Sequence, residues 1–238
     1  MSTVCYTPFK LPRIRLTQLS ACGLPVTGCS TVVTNGIISV EMTKEYEDRQ
    51  EFFVKNGDGT FCVRETNPPI LKWINLVITL CNVDPDAVSI MTAEQRVYDD
   101  SPTPQATGYS TDEGSAANAN FALEGWTRLT NVSNGGACTG GVEYGYMLYP
   151  WIVEGTVGDI TYENGAANFV VNGRTHASSL WGTGPYFVDL SDATATLNNN
   201  IPLLTPIRST EHMRTFITRK APPASACGCT TLSSLIPG

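Results

Sequence analysis

Short runs of β-forming residues, broken by glycine-bearing turns, dominate the chain. Asn35-Gly36 separates residues 30–34 from 37–42, Asn56-Gly57-Asp58-Gly59 separates 51–55 from 60–64, and Asn164-Gly165 separates 158–163 from 166–171. Each set predicts two strands joined by a turn in which glycine supplies a positive φ. Apolar and polar positions alternate within several runs, as a half-buried strand requires. Ile38, Val40 and Met42 share one face of theirs, and Ser39 and Glu41 the other. Residues 71–80 (LKWINLVITL), which fit a helix or a strand, and 145–153 (GYMLYPWIV) are more apolar than the other runs. Their β-branched and aromatic content predicts strands, the first covered on both faces. Pro150 marks an edge, an end or a bulge within the second. Residues 121–128 (FALEGWTR) fit a strand or a short helix, Gly125 weakening the helix.

One helix is expected. Asp84 can cap its amides, Pro85 suits the first helical position, and Asp86 complements the dipole before Ala87-Val88-Ser89-Ile90-Met91. Residues 99–114, 130–141 and 191–204 are rich in Pro, Gly, Ser and Asn and read as long loops. Residues 1–12 and 221–238 read as extended arms on either side of a β domain at 13–220. Such arms are entropically costly unless a partner orders them.

Composition narrows the function classes. Of 238 residues, 16% are charged, below the roughly 25% usual for soluble domains, which excludes a charge-rich disordered chain and a coiled coil. No apolar stretch approaches the ~18 residues of a spanning helix, and the N-terminus lacks the pattern of a secretory signal, so synthesis and folding in a cytosol are expected. The net charge of −7 is uneven. Residues 1–40 hold three bases and no acid, 41–163 seven bases against nineteen acids, and 164–238 five bases against three acids. Basic ends flank an acidic middle, an arrangement suited to docking between copies.

Catalytic chemistry finds no support. His176 and His212 are the two histidines, and neither lies near a Gly-x-Ser-x-Gly elbow. No phosphate loop or dinucleotide fingerprint is present. Residues 56–60 hint at a calcium loop, but Glu65 is misplaced for the bidentate position, so a hairpin turn is expected. Asp99-Asp100 could pair as acid and base, yet adjacent loop carboxylates are usually solvated. Asn131-Val132-Ser133 reads as a loop, not a glycosylation acceptor. Bases are too scattered for a nucleic-acid patch. The eight cysteines (Cys5, Cys22, Cys29, Cys62, Cys81, Cys138, Cys227, Cys229) match no standard zinc spacing. Reduced structural thiols, late-formed disulfides and a metal site all stay open. No enzyme activity, metal or cofactor is expected.

An ordered set of segments resembles the major tail proteins of long, non-contractile-tailed bacteriophages, most nearly those infecting actinobacteria. It comprises residues 16–23 (LTQLSACG), 30–42 (STVVTNGIISVEM), Glu45-Tyr46-Glu47, Leu71-Lys72-Trp73-Ile74-Asn75 and Cys81-Asn82-Val83-Asp84-Pro85. It continues through Asn120-Phe121-Ala122-Leu123-Glu124, Glu143-Tyr144-Gly145-Tyr146, Pro150-Trp151, 155–166, Trp181-Gly182-Thr183-Gly184-Pro185-Tyr186 and Pro202-Leu203-Leu204-Thr205-Pro206-Ile207. The resemblance implies a mainly-β sandwich or half-barrel with one short flanking helix. It further implies hexameric rings stacked into a tail tube that conducts DNA at ejection. The expected partners are the chain itself, a tape-measure protein, tail terminator and tip proteins, and double-stranded DNA in transient, non-specific passage. The expected location is the virion tail, assembled in the host cytoplasm.

On that reading residues 41–64 form a long hairpin reaching an adjacent ring, carrying Glu41, Glu45, Glu47, Asp48, Arg49 and Glu51. Glu143, Glu154, Asp159 and Glu163 are expected to line the bore, where acids repel the duplex over about a Debye length, ~10 Å at 0.1 M salt. Arg13, Arg15, Arg214 and Arg219 are expected to bridge subunits. Trp73, Trp126, Trp151 and Trp181 are expected as core or interface anchors. Two rival classes are an extracellular β-sandwich adhesin or carbohydrate-binding module, which needs exposed aromatic faces, and a hydrolase with a divergent site, which needs a histidine.

Overall fold

The computed structural model describes residues 7–81, 83–130, 143–160, 168–189 and 201–232. The predicted turn at Asn164-Gly165, the Asn131 loop, Glu163, Cys5 and Cys138 lie outside them. The elements are β1 (Thr7–Gln18), β2 (Cys29–Thr34), β3 (Ile37–Tyr46), β4 (Glu51–Lys55), β5 (Phe61–Thr66), β6 (Leu71–Leu80), α1 (Pro85–Thr92), β7 (Gln95–Tyr98), β8 (Ala106–Ser110), β9 (Asn120–Thr130), β10 (Tyr144–Val157), β11 (Phe169–Thr175), β12 (Arg214–Thr218) and β13 (Thr230–Thr231). The protein is mainly β with one α-helix, as the turn pattern predicts.

Nine strands form one antiparallel sheet in the order β13-β2-β1-β9-β10-β11-β6-β3, with β12 also paired to β10. Strands β2 and β3 are therefore at opposite ends of the sheet, not partners in a hairpin about Asn35-Gly36. A two-residue connection between opposite ends requires the sheet to curl until its ends approach. The Gly36 N–H is taken by the Thr34 hydroxyl at 3.0 Å and its carbonyl by the Cys81 N–H at 2.8 Å, bonds that turn the chain from one end of the sheet to the other.

Pro150 sits where β10 bends. The register slips between Tyr149 and Ile152 against β9, and again between Val153 and Thr156 against β11. Before the slip β10 pairs with β12, and after it with β11. A proline has no ladder donor and is tolerated at such a bulge.

Alternation along the strands splits the core in two. Ile14 and Leu16 of β1, Phe121 and Leu123 of β9, and Leu76 and Ile78 of β6 face the inside of the curl. There they meet Ala87, Val88, Ile90 and Met91 of α1. Ala122, Trp126, Tyr146 and Leu148 face the other side and are covered by Trp181, Tyr186, Val188, Leu203 and Ile207. Strand β6 alternates buried with half-buried residues, so it is covered fully on one face only, contrary to the expectation from its composition. Helix α1 has the expected start: the Asp84 carboxylate accepts the Asp86 N–H at 2.9 Å, and Pro85 opens the first turn.

The helix lies close on β10. A Cβ on Gly155 would stand 1.7 Å from the Met91 carbonyl oxygen, a backbone atom that cannot swing away. Gly155→Ala is expected to destabilise the fold by about 3 kcal/mol, within the range for overpacked cores, read as a Tm fall of roughly 6–12 °C.

The arms are more structured than their composition suggests. Strand β1 begins at Thr7 and pairs with β9 from Thr7↔Thr130 onward. Pro12 falls in the register slip between Phe9 and Arg13, and the pairing resumes at Arg13↔Trp126. At the other end β13 pairs with β2, and Cys29 is disulfide-bonded to Cys229. Of the three readings of the cysteines, a disulfide is present. Cys22, Cys62, Cys81 and Cys227 are free and exposed. Residues 99–114, read as loop, include β8, which pairs with β7.

Candidate functional site

Three features stand out: a projecting ribbon, an uncovered sheet face and a buried polar cluster. The ribbon is longer than expected. Strands β3 and β6 pair from Ile37↔Leu80 to Tyr46↔Leu71. The Glu47 N–H then donates to the Ile70 carbonyl at 2.8 Å, and the Asn67 N–H to the Gln50 carbonyl at 3.1 Å. Strands β4 and β5 continue from Glu51↔Thr66 to Lys55↔Phe61. The result is one hairpin over residues 37–80, turning at 56–59. Its tip is a turn, not a cation loop: Asp58 Oδ1 accepts the N–H and hydroxyl of Thr60 at 2.9 and 2.7 Å. Those bonds hold the Asp58 carboxyl below its ordinary value.

Every residue of β4 and β5 is exposed. One face carries Phe52, Val54 and Val63. The other carries Phe53 and Phe61, with ring centroids 5.8 Å apart, and the cations of Lys55 and Arg64 within about 6 Å of those rings. A two-stranded hairpin with large apolar side chains in water on both faces is marginal alone and marks an interaction surface. The charged residues assigned to this hairpin are spread along it. Glu41 and Glu45 are on β3 within the main ladder, Glu47, Asp48 and Arg49 are in the connection, and Glu51 opens β4.

The uncovered face is the outer side of β3, β6 and β11. Glu41, Thr43 and Glu45 share it with Trp73, Asn75 and Val77, and with Asn172 and Arg174. The Asn75 amide donates to Glu45 at 3.2 Å. Glu154 reaches the same face at the β10 bulge, where its φ is +57°, and pairs with Arg174. Arg174 also lies over Trp73, 4.9 Å from the ring centroid.

Of the acids read as one bore-facing group, Glu154 alone among the described ones reaches this face. Glu143 precedes β10 near Arg219 at 3.5 Å, and Asp159 is exposed beyond the end of β10. Glu41 and Glu45, read as hairpin acids, are the ones beside Glu154. Pairing β3 with β6 instead of β2 places them there, a placement that local turn signals could not supply.

The buried cluster corrects the reading of Arg15. This side chain is 7% exposed and Glu124 is 1% exposed. Arg15 donates from Nε to Glu124 Oε2 and from Nη2 to Oε1, both at 2.5 Å. The Tyr146 hydroxyl donates to Oε1 at 2.5 Å. The guanidinium carbon stands 3.4 Å from the Tyr186 ring centroid. The Tyr186 hydroxyl meets the hydroxyls of Thr17 and Thr31 at 2.9 Å each. Burial pulls the Arg15 pKa down, but the charge and hydrogen bonds of Glu124 outweigh it and hold the guanidinium ionised. Burial, and then the Glu124 charge, pushes Tyr146 well above the ordinary tyrosine value.

Arg15 therefore joins β1, β9, β10 and the covering segment within one subunit and is no bridge between subunits. Alternation on β1 puts it on the covered face, opposite Ile14 and Leu16. Arg214 is likewise committed internally, with two bonds to Glu211 at 2.8 and 2.7 Å and others to the carbonyls of Thr205 and Pro206. Arg13 donates to the Pro223 carbonyl.

Both histidines make contacts within the fold. Thr175 Oγ1 accepts the Ile74 N–H at 2.9 Å and lies 2.8 Å from His212 Nδ1. The hydroxyl and Nδ1 share a hydrogen bond whose donor is set by the imidazole tautomer. Burial, reinforced by His176, lowers the His212 pKa. A histidine whose folded pKa lies below its unfolded one gives stability that is present above the unfolded value and lost as pH falls through the window between them. Melting temperature is expected to fall with pH below about 6.5, and the fall to shrink in His212→Asn. His176 is exposed and stacks on Trp151 with centroids 4.4 Å apart. Asp99 caps a turn, accepting from the Gln105 N–H and the Ser101 hydroxyl at 2.8 and 2.9 Å; those bonds lower its pKa.

Among the described residues no group of acids, histidines and cysteines could hold a metal ion, and no helix is long and apolar enough to cross a membrane. Compared with protein-family models and with curated proteins, the chain matches none.

Proposed function

We propose that this protein is the tube subunit of a non-contractile bacteriophage tail, polymerising as stacked hexameric rings that conduct DNA. The observation that carries the reading is the hairpin of residues 37–80, whose outer half presents five large apolar side chains, Phe52, Phe53, Val54, Phe61 and Val63, to water. A lone molecule gains nothing from that exposure, whereas a neighbouring copy seated on the ribbon removes it from water. A curled sheet with two unlike ends supports the same reading. A head-to-tail contact that closes makes a ring, and stacked rings make a filament. The polar face of β3, β6 and β11 suits a bore, because Glu41, Glu45 and Glu154 offer phosphates no grip.

The carbohydrate-binding alternative draws on exposed aromatic faces. The tryptophans offer little, since Trp126 and Trp181 are buried, Trp73 lies under Arg174 and Trp151 lies against His176; Tyr46 and Tyr98 are about half exposed.

Sedimentation velocity across a concentration series tests the assembly reading. Species of hexamer size and larger are expected at high concentration, and a single monomer boundary throughout overturns it. Lysine at Glu41, Glu45 and Glu154 is expected to leave tubes intact and to slow DNA release from assembled particles. Unchanged release removes the bore assignment.

A further inference from the structure

We propose that the C-terminal segment is a redox-gated clasp on one end of the main sheet. With Cys29–Cys229 oxidised it occupies the outer edge of β2; with that bond reduced it leaves the edge open to the β3 edge of a second copy. The identity of the occupant rests on the assembly reading above, and the clasp itself does not.

The segment covers β2 along its length. The Ala226 N–H donates to the Val33 carbonyl and the Leu232 N–H to the Gly28 carbonyl, both at 3.2 Å. The Thr230 hydroxyl donates to the Thr31 carbonyl at 3.3 Å. Two helix-cap carboxylates hold the bend. Asp84 accepts the Gly228 N–H at 2.9 Å and Asp86 the Cys229 N–H at 3.0 Å. Arg96 stands 2.6 Å from Asp86, a charge contact and not an aligned hydrogen bond.

Arg13 adds a bond to the Pro223 carbonyl, and Cys229 and Leu232 pack on the edges of the two cores. No residue of 221–232 is buried, so water can replace each contact in turn and the segment opens as a local unit. The disulfide closes a separation of 200 residues and returns the strand to its edge after every opening. Its removal is ordinary thiol–disulfide exchange. A small monothiol of the glutathione class attacks one sulfur and releases the other cysteine as thiolate. A second such thiol then resolves the mixed disulfide. Cys29 and Cys229 end as thiols, and the reductant ends as its own disulfide.

The opened edge has a complement on the same molecule. Strand β3 ends the sheet at its other side and, among the described residues, pairs with β6 alone. Joining the β2 edge of one copy to the β3 edge of the next is β-strand addition, head to tail.

Hydrogen exchange of the full-length protein, with and without a dithiol reductant, tests the clasp. Peptides covering 28–34 and 225–232 are expected to exchange at least about tenfold faster after reduction and in Cys229→Ser, while those covering 121–129 stay unchanged. Sedimentation of the same samples is expected to show assembly at roughly fivefold lower concentration or less when the bond is open. Peptide mapping must resolve Cys229 from the free Cys227 two residues away. Unchanged exchange at 28–34, or a Cys29 found unpaired in oxidised protein, overturns the clasp. Equal assembly in both redox states overturns the gating. Faster exchange with a monomer in both states leaves the clasp standing and overturns the second copy as occupant, together with the assembly reading.

Discussion

Glu124→Ala is expected to lower the melting temperature by roughly 8–15 °C. Removing one partner of a buried ion pair leaves the other charge desolvated and unpaired, at a cost of about 3–5 kcal/mol. Each kcal/mol shifts Tm by about 2–4 °C in a domain of this size. Among the described residues the Arg15 guanidinium bonds to Glu124 alone. Its neighbours on that face are Trp126, Tyr186 and the sheet, and Tyr146 loses its acceptor in the same stroke. The double variant Arg15→Met/Glu124→Leu is expected to recover most of the loss, since apolar groups of similar volume often replace a buried pair at little cost. Calorimetric melting of wild type, single variant and double variant checks both statements. A single variant melting within about 2 °C of wild type would mean that the pair anchors nothing.

The second large effect concerns assembly and leaves the monomer alone. Phe52→Ser/Val54→Ser/Val63→Ser strips one apolar face of the ribbon. These side chains are about half exposed, so the melting temperature of the monomer is expected to change by no more than about 2 °C. Burying each in a neighbour contributes about 1.5–3 kcal/mol, and every 1.4 kcal/mol is tenfold in association. The concentration needed for assembly is therefore expected to rise at least about 100-fold, measured by light scattering. Lysine at Glu47 and Asp48, in the connection of the same hairpin, acts by charge and is expected to have the smaller, salt-sensitive effect of exposed ion pairs. Unaltered assembly by the apolar triple variant would remove the ribbon from the contact.

The contrast between these two sites shows what the sequence could reveal. The helix start at Asp84-Pro85, the bulge at Pro150 and the hairpin tip at 56–59 rest on local chemistry, in which a cap, a missing donor and a turn act within a few residues. Each is legible in the chain and each is present. Asn35-Gly36 carries a hairpin signal just as strong, yet β2 and β3 part to opposite ends of a sheet that curls around α1. Arg15 and Glu124 lie 109 residues apart in sequence, and no spacing rule joins them. Alternation on β1, with Ile14 and Leu16 facing one core, was the signal that Arg15 faces the other. Cys29 and Cys229 are further apart still, and their pairing depends on the tail returning to β2. The acids followed the same division. Their placement on strands was readable, but which face they share was not, since it depends on β3 pairing with β6.

Negative-stain imaging of the purified, concentrated protein tests the central claim most directly. Rings with an open centre, or filaments built of them, are the result expected for a tube subunit. A field of single compact particles at every concentration, in both oxidised and reduced samples, would contradict it.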